Sequence, residues 1–269
     1  MGYEGFKRAE IEGWNARAGA YNQFTGQVTT QAIPTLLSMA EIAPGKSLLD
    51  LCCGTGRAAG AASALGAHAE GIDASEAMIE AARDAFPDVR FDTGDAETVP
   101  RADHSYDAVI CSFGLMHLAN PDALFSEMAR VLRPGGRVAL SHWVGPPESA
   151  LFRMVFGTIQ RLADMSAVPP SPPPFALSSE DAMQEMLERT GFCEISACVL
   201  PLFFTAPVGK FTENFRTFAA RAAVILDQQP EEVLEQIYSA WDDQLTEFLV
   251  DGHYRVPMPA LAVCAVRGE

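Results

Sequence analysis

The chain has 269 residues, 48% of them hydrophobic and 20% charged, which is enough for one large α/β core with a smaller covering element. Its formal net charge of −16 argues against nucleic acid and anionic membrane surfaces as partners, since both attract Lys- and Arg-rich proteins, and favours a small molecule. No secretory signal pattern is present and no apolar run reaches the roughly 20 residues that span a bilayer, which predicts a cytoplasmic protein.

The first predicted elements are helical. Residues 6–42 predict two helices, because apolar side chains recur there at roughly helical spacing, and Pro44-Gly45 ends the segment. The run 47–51 is short, apolar and bounded by turn residues, as a buried parallel strand is. A helix of small residues over 57–65 is expected to pack closely on that strand.

Strands and helices then alternate. We expect strands over 68–73, 89–92 and 106–111, and a helix over 75–86 with Ser75 as its N-cap. The next helix begins with Asn as cap and Pro at the first helical position, stops at Arg-Pro-Gly-Gly, and is followed by a strand over 137–143. This alternation predicts a Rossmann-like, doubly wound α/β fold with helices on both faces of a parallel sheet.

The second half of the chain is less regular, and no internal repeat is found. Its segments are an apolar helical piece and a proline-rich stretch within 146–177, a helix over 178–191, a strand over 195–204, helices within 209–249, and a last strand over 256–266.

Six cysteines are spread along the chain without a CxxC pair or a histidine-rich partner segment. This spacing favours neither a zinc site nor a disulfide framework, so we expect reduced, mostly buried thiols and no metal. The six are Cys52, Cys53, Cys111, Cys193, Cys198 and Cys264.

The turn after the first strand reads Asp50-Leu51-Cys52-Cys53-Gly54-Thr55-Gly56. Glycines between a strand and a helix let the backbone turn tightly and approach a ligand, which predicts a nucleotide-type site. A turn that serves packing alone has the same pattern, so the other strand ends have to support the interpretation.

Carboxylates follow the next two strands. Asp73 lies 17 positions after Gly56 and can accept both ribose hydroxyls of an adenosine, although a helix-capping aspartate is the alternative. Asp95 can accept from the adenine amino group, and the amide of Ala96 can donate to a ring nitrogen. Since ligands of open α/β sheets bind at the carboxyl ends of the strands, these groups should converge with Cys111-Ser112.

Five segments, in this order and spacing, resemble the class I S-adenosylmethionine-dependent methyltransferases, and among them the ubiquinone/menaquinone-biosynthesis group. They are LLDLCCGTG, EGIDAS, GDAE, YDAVICSFGLMHL and VLRPGGRVAL. The resemblance is clear over residues 45–144. The remainder of the chain resembles the family only in its topology. It implies a seven-stranded, mostly parallel sheet with an antiparallel last strand and helical cap insertions.

The resemblance also implies a domain organisation. The whole chain, 1–269, is expected to be one methyltransferase domain. Within it, 1–44 is an N-terminal helical cap, 45–144 is the cofactor-binding core, and 145–177 and 209–250 are helical insertions that cover the substrate.

The cofactor implied is S-adenosyl-L-methionine, with S-adenosyl-L-homocysteine as product. Tyr21 resembles the aromatic residue that many of these enzymes close over the cofactor, and Met78 can lie against the adenine, although both can equally be plain packing residues. The family usually has Gly where this sequence has Cys52. The predicted cofactor-binding residues are Tyr21, Asp50, Cys52, Gly54, Thr55, Gly56, Asp73, Ala74, Met78, Asp95, Ala96, Glu97, Cys111 and Ser112.

NAD(P) is the rival cofactor, because an acidic residue also follows the second strand of dehydrogenases. The glycines at 54, 56 and 60 depart from the GxGxxG spacing, and the GDAE and RPGG segments have no role in that interpretation.

Two histidines are candidate catalytic residues. His117 follows the fourth strand, near where the methyl group should emerge, and histidine titrates near operating pH. Its alternative is a structural role in the loop. His142 and Trp143 end the fifth strand, where alternation allows at most one of them to face the site. His142 would polarise an acceptor and Trp143 would stack on a flat one, or both would pack.

The segments outside the core predict the acceptor. Their apolar side chains suit a small or medium, mostly apolar or aromatic molecule methylated at O, N or C. Packing against each other or across a homodimer interface is the alternative. A non-catalytic, regulatory S-adenosylmethionine-binding protein is the other functional hypothesis. The side chains are Phe152, Met154, Phe156, Met165, Phe211, Phe215, Phe218 and Trp241.

Overall fold

The computed structural model describes residues 3–23, 25–146, 148–166 and 170–268, with the side chains at 217, 218, 220 and 221 left out. The strands are β1 (Ser47–Leu51), β2 (His68–Asp73), β3 (Arg90–Thr93), β4 (Tyr106–Ser112), β5 (Leu132–Trp143), β6 (Phe192–Leu200), β7 (Phe203–Pro207), β8 (Leu249–Val250), β9 (His253–Pro257) and β10 (Ala260–Arg267). The α-helices are α1 (Glu4–Tyr21), α2 (Thr25–Thr29), α3 (Ile33–Met39), α4 (Arg57–Ala64), α5 (Glu76–Ala85), α6 (Pro121–Val131), α7 (Ala150–Leu162), α8 (Glu180–Arg189), α9 (Phe211–Phe218), α10 (Ala220–Leu226) and α11 (Glu231–Leu245).

The main sheet has seven strands in the order β3-β2-β1-β4-β5-β10-β6. The five strands from β3 to β5 are parallel, and β10 runs antiparallel to both of its neighbours. Asp50 at the centre of the sheet pairs with Gly71 of β2 and Ile110 of β4. The predicted Rossmann-like fold with an antiparallel last strand is confirmed, and the carboxyl ends of β1 to β5 share one edge.

Helices cover both faces of this sheet. Leu48 packs in one buried cluster with side chains of α3, α4 and α7, whereas its neighbour Leu49 packs in another with side chains of α6 and α8. Alternate residues of a strand point to opposite faces, so an apolar run on β1 serves both clusters. Among the described residues, no helix has the length and apolar character needed to cross a bilayer.

Two predicted helix starts are confirmed at atomic detail. The Ser75 hydroxyl accepts a hydrogen bond from the backbone amide of Met78, three residues into α5. The Asn120 side chain accepts from the amide of Ala123, with Pro121 as the first residue of α6. Both caps satisfy amides that an N-terminal helical turn leaves unpaired.

The strands predicted over 195–204 and 256–266 were each wrong as single elements. Pro201 lies between β6 and β7, and Pro259 lies between β10 and β9, which ends at Pro257. Proline has no amide hydrogen to continue a ladder, so each strand breaks there. The strands β7 and β9 pair with each other in a second sheet, whose order is β7-β9-β8.

Candidate active site

A cavity opens at the carboxyl edge of the main sheet, between the strand ends and the helices α1, α7 and α10. The predicted cofactor residues that line it are Tyr21, Cys52, Gly54, Asp73, Ala74, Met78, Asp95, Ala96, Glu97 and Ser112. The strand-end residues therefore converge on one space.

Four predicted cofactor residues, Asp50, Thr55, Gly56 and Cys111, do not line the cavity. Asp50, Thr55 and Gly56 belong to the turn itself, and the Cys111 thiol lies beside Cys52. Asp50 is buried, accepts a hydrogen bond from the backbone amide of Ala59 at 3.1 Å, and burial raises its pKa to about 7. The Thr55 hydroxyl donates to the Asn22 side chain at 2.8 Å, so both of these polar groups are occupied within the protein.

The two glycines of the turn serve different purposes. Both have left-handed backbones, with φ of 53° at Gly54 and 75° at Gly56. A Cβ at Gly56 would lie 2.5 Å from the Phe91 ring, so this glycine is required by packing. A Cβ at Gly54 would meet nothing nearer than Tyr21, at 3.9 Å, so its bare backbone faces the cavity beneath that tyrosine.

Cys52 replaces the usual glycine at some conformational cost. Its φ is 57°, in the left-handed region that a side chain rarely adopts. Space for its side chain exists because Gly114 lies opposite, where a Cβ would approach the Cys52 Cβ to 2.6 Å. The neighbouring Cys111 thiol and burial raise the pKa of the Cys52 thiol well above its ordinary value, which keeps it neutral.

Asp73 links the end of β2 to the glycine turn. Its Oδ2 accepts from the Gly54 amide and its Oδ1 from the Ser75 amide, each at 2.8 Å. A carboxylate oxygen has two lone pairs, so each can still accept from a ligand hydroxyl. Burial raises the pKa of this carboxyl, against the effect of the two amides.

A lysine that the sequence analysis did not single out contacts the acidic loop after β3. The Lys7 Nζ lies 2.5 Å from Asp95 Oδ2 and 2.7 Å from Glu97 Oε2. Glu97 also accepts from the Asn120 amide at 2.7 Å, which ties the loop to α6. This loop is therefore held from both sides.

His117 has a carboxylate partner from α1, also missed by the sequence analysis. The His117 Nδ1 lies 2.6 Å from Glu10 Oε2, and Trp14 meets the imidazole edge-on with ring centroids 5.1 Å apart. All three side chains line the cavity. The signal was the spacing of Glu10, which lies four residues after buried Phe6 and four before Trp14, on the same face of the helix.

His142 does not line the cavity, whereas Trp143 does. The imidazole is 2% exposed, and its Nδ1 lies 2.8 Å from the Trp143 carbonyl oxygen. Burial lowers the pKa of His142 to about 4, so it is a neutral buried side chain at ordinary pH. The structure thus gives the predicted catalytic role of His142 no support.

Five aromatic side chains, which we call the aromatic wall, also line the cavity. Phe113 and Trp143 stack with ring centroids 3.8 Å apart, and the remaining three rings lie within 6.0 Å of one another. The aromatic wall consists of Phe113, Trp143, Phe152, Phe156 and Phe175.

Of the other apolar residues singled out from the cap segments, the five with described side chains do not line the cavity. Four are buried among themselves and the core, and Met165 is exposed. The side chain of Phe218 lies outside the described residues. The four buried ones are Met154, Phe211, Phe215 and Trp241.

No group of three His, Cys, Asp or Glu side chains able to hold a metal occurs in the described part of the chain. All six cysteines are unpaired.

Comparisons with known proteins agree with this architecture. Residues 48–136 match a family model described as a methyltransferase domain. A demethylmenaquinone methyltransferase of Clavibacter sepedonicus is 39% identical over 118 residues, which cover 43% of this chain and 48% of the relative. The chain thus spans about half the length of such curated relatives. The predicted resemblance to methyltransferases is confirmed.

Solved structures show the same fold. The YcgJ protein of Bacillus subtilis superposes with a TM-score of 0.57 at 20% identity, covering 89% of this chain and 99% of that one. Phosphoethanolamine N-methyltransferase 2 of Haemonchus contortus, solved with phosphomonomethylethanolamine and S-adenosylhomocysteine, gives a TM-score of 0.57 at 21% identity, covering 89% and 53%.

Proposed function

We propose that this chain, whose residues 48–136 carry a methyltransferase domain, transfers the methyl group of S-adenosylmethionine to a small or medium acceptor with a flat apolar ring. The observation that carries the proposal is the joining of two sites in one cavity. Strand-end groups suited to an adenosine and the rings of the aromatic wall line the same space. A methyl donor and a ring acceptor can meet only in such a shared space.

The strand-end residues fit the cofactor. Asp73 would accept from the ribose hydroxyls, Asp95 and the Ala96 amide would hold the adenine, and Gly54 leaves backbone free beneath Tyr21. When bound, S-adenosylmethionine supplies a methyl group already activated on a positively charged sulfur.

The charges of the cavity agree with a cationic ligand. The carboxylates of Glu10, Asp73, Asp95 and Glu97 line it, and the only Lys or Arg among its described lining residues is Lys7. An excess of negative charge in a partly enclosed site attracts a positive sulfonium and favours it over the neutral thioether left after transfer.

The aromatic wall supports a ring acceptor. Stacked and edge-on rings bind flat apolar molecules through burial of area and favourable ring geometry. The name of the Clavibacter sepedonicus relative, a demethylmenaquinone methyltransferase, suggests a quinone-type ring, and we propose this class for the acceptor.

The N-terminal helical cap would align the methyl donor with the acceptor and exclude water from them. Trp14 and Tyr21 of α1 line the cavity with edge-on rings 5.9 Å apart. Displacement at an activated methyl group requires the attacking atom in line with the bond that breaks, so residues that fix both molecules supply much of the rate.

Release of S-adenosylhomocysteine in the presence of an acceptor panel tests the proposal. The panel contains dihydroxynaphthalenes, hydroquinones and substituted phenols, with aliphatic amines for comparison. We expect release above the acceptor-free rate with ring compounds. Binding of S-adenosylhomocysteine without release on any acceptor would favour the non-catalytic alternative, and absence of binding would overturn the proposal.

A further inference from the structure

Glu10 and His117 are joined across the cavity although they lie 107 positions apart in sequence. Glu10 Oε2 and His117 Nδ1 are 2.6 Å apart. Glu10 is only 7% exposed, yet it lines the cavity together with the imidazole. A carboxylate buried on an apolar helix face is costly unless it is paired, so the contact stabilises both the docking of α1 and the position of the histidine.

The contact fixes which imidazole nitrogen is free. A carboxylate accepts hydrogen bonds, so Nδ1 carries the hydrogen and Nε2 keeps its lone pair. Within the described residues, Nε2 has no hydrogen-bond partner in the protein. The edge-on contact with Trp14 restricts the ring from the side. In the neutral form of the imidazole, the Nε2 lone pair is thus presented at the cavity.

We propose that His117 is a catalytic base that takes the proton of an acceptor hydroxyl group, and that Glu10 is its positioning residue. This inference rests on the proposed methyl transfer to a ring acceptor. An amine that is already unprotonated needs no base, whereas a phenol, with a pKa near 10, is mostly protonated at neutral pH.

In the proposed transfer, the acceptor O–H bond breaks. Its proton passes to Nε2 of His117, while the electron pair stays on the acceptor oxygen. That pair forms the bond to the methyl carbon, and the C–S bond breaks with its electrons left on sulfur. If a ring carbon beside the hydroxyl forms the bond instead, that carbon loses its hydrogen as a proton and the oxygen is protonated again.

Carboxylates face the base from two elements of the fold. Glu10 contacts it from α1, and Asp73 acts on it from the end of β2, while the buried, neutral His142 lies on β5. Two carboxylates therefore stabilise the imidazolium that forms, as the aspartate does in serine-protease triads. The His117 side chain is 25% exposed, which gives the proton a route to solvent.

The test uses the full chain with S-adenosylmethionine and a series of substituted phenols whose own pKa values run from about 6 to about 10. His117→Gln and Glu10→Gln are compared with Glu12→Gln, an exposed glutamate on the same helix, and His253→Gln, an exposed histidine elsewhere. S-adenosylhomocysteine affinity and the circular dichroism spectrum establish that each variant is folded.

We expect His117→Gln to lower kcat by roughly 100-fold or more on phenols that are protonated at the assay pH, with a much smaller loss on phenols already ionised. Glu10→Gln should show the same dependence with a smaller loss, and the two control variants should match the wild type. Raising the pH above the pKa of the phenol should restore much of the lost rate. Either an O-methyl or a C-methyl product supports the inference.

Equal losses on all phenols would assign the pair a structural role and overturn the inference, as would wild-type rates in both variants. Turnover of amines but not phenols by the wild type would overturn the inference while leaving methyl transfer intact. Failure to bind S-adenosylhomocysteine would instead contradict the proposed function itself.

Discussion

The ammonium nitrogen of Lys7 lies 2.5 Å from Oδ2 of Asp95, so a helix outside the sheet is anchored at the strand end proposed to hold the adenine. Further contacts extend this anchor along α1. Asn15 accepts from the Ser75 hydroxyl at 2.7 Å, and Asn22, just past the helix, accepts from Thr55. Three separate polar contacts therefore tie α1 and the residue after it to the cofactor edge.

Lys7→Met should loosen α1. The change removes the ion pairs to Asp95 and Glu97, and partly exposed pairs of this kind are worth up to about 1 kcal/mol. Hydrogen exchange of amides in α1 should accelerate about two- to fivefold, while amides of β4 keep their wild-type rates. Unchanged exchange in α1 would show that its apolar contacts alone hold it.

Asp73→Asn should weaken binding of S-adenosylhomocysteine by about 10-fold or more. The asparagine side chain keeps one oxygen that can accept from the Gly54 amide of the turn. It loses the negative charge that would strengthen hydrogen bonds from the ribose hydroxyls. Titration calorimetry measures the affinity, and exposed Asp84→Asn on α5 is the matched control. Wild-type affinity in the Asp73 variant would remove this residue from the cofactor site.

Asp50→Asn should flatten the dependence of stability on pH. Burial raises the pKa of Asp50 to about 7, so between its ordinary pKa of about 4 and that value the folded state holds a proton that the unfolded state has lost. The free energy of unfolding then falls as pH rises through this window, by on the order of 1 kcal/mol per pH unit.

The asparagine at position 50 can still accept from the Ala59 amide but has no proton to lose. We therefore expect the drop in Tm between pH 5 and pH 8 to be smaller in this variant than in the wild type. Asp88→Asn, an exposed change, should leave the drop as it is. An equal drop in all three proteins would contradict the prediction.

Phe156→Ala should raise the KM for the acceptor by about 10-fold, because this partly exposed ring of the aromatic wall would lose its contact area with the substrate. Phe211→Ala is the comparison, since Phe211 is 1% exposed and away from the cavity. It should lower Tm more than the Phe156 variant does and leave KM near the wild-type value. Steady-state kinetics and thermal melts separate the two effects, and reversed effects would mean that the aromatic wall does not bind the acceptor.

The core of the fold could be predicted from sequence because its signals are local. The strand at 68–73 was predicted with its observed bounds, and Ser75 and Asn120 marked their helix starts. The second sheet could not be predicted in this way. Phe203 pairs with Pro257, and such a pairing depends on how distant segments dock.

The predicted site residues that line the cavity could also be predicted, because they follow the ends of strands. The contacts that the N-terminal helix α1 makes with them could not. Lys7 and Glu10 lie on a helix whose partners are set by tertiary packing. The spacing of Glu10 places it on a buried helix face, but that spacing does not identify its partner. Strand alternation limited the choice between His142 and Trp143, but only the structure assigns the cavity to the tryptophan.

Titration calorimetry of the purified chain with S-adenosylhomocysteine tests the central claim most directly. We expect one saturable site, which adenosine occupies more weakly. S-adenosylmethionine should compete with S-adenosylhomocysteine for this site. A folded protein that gives no heat of binding and no shift in Tm with either compound would contradict it.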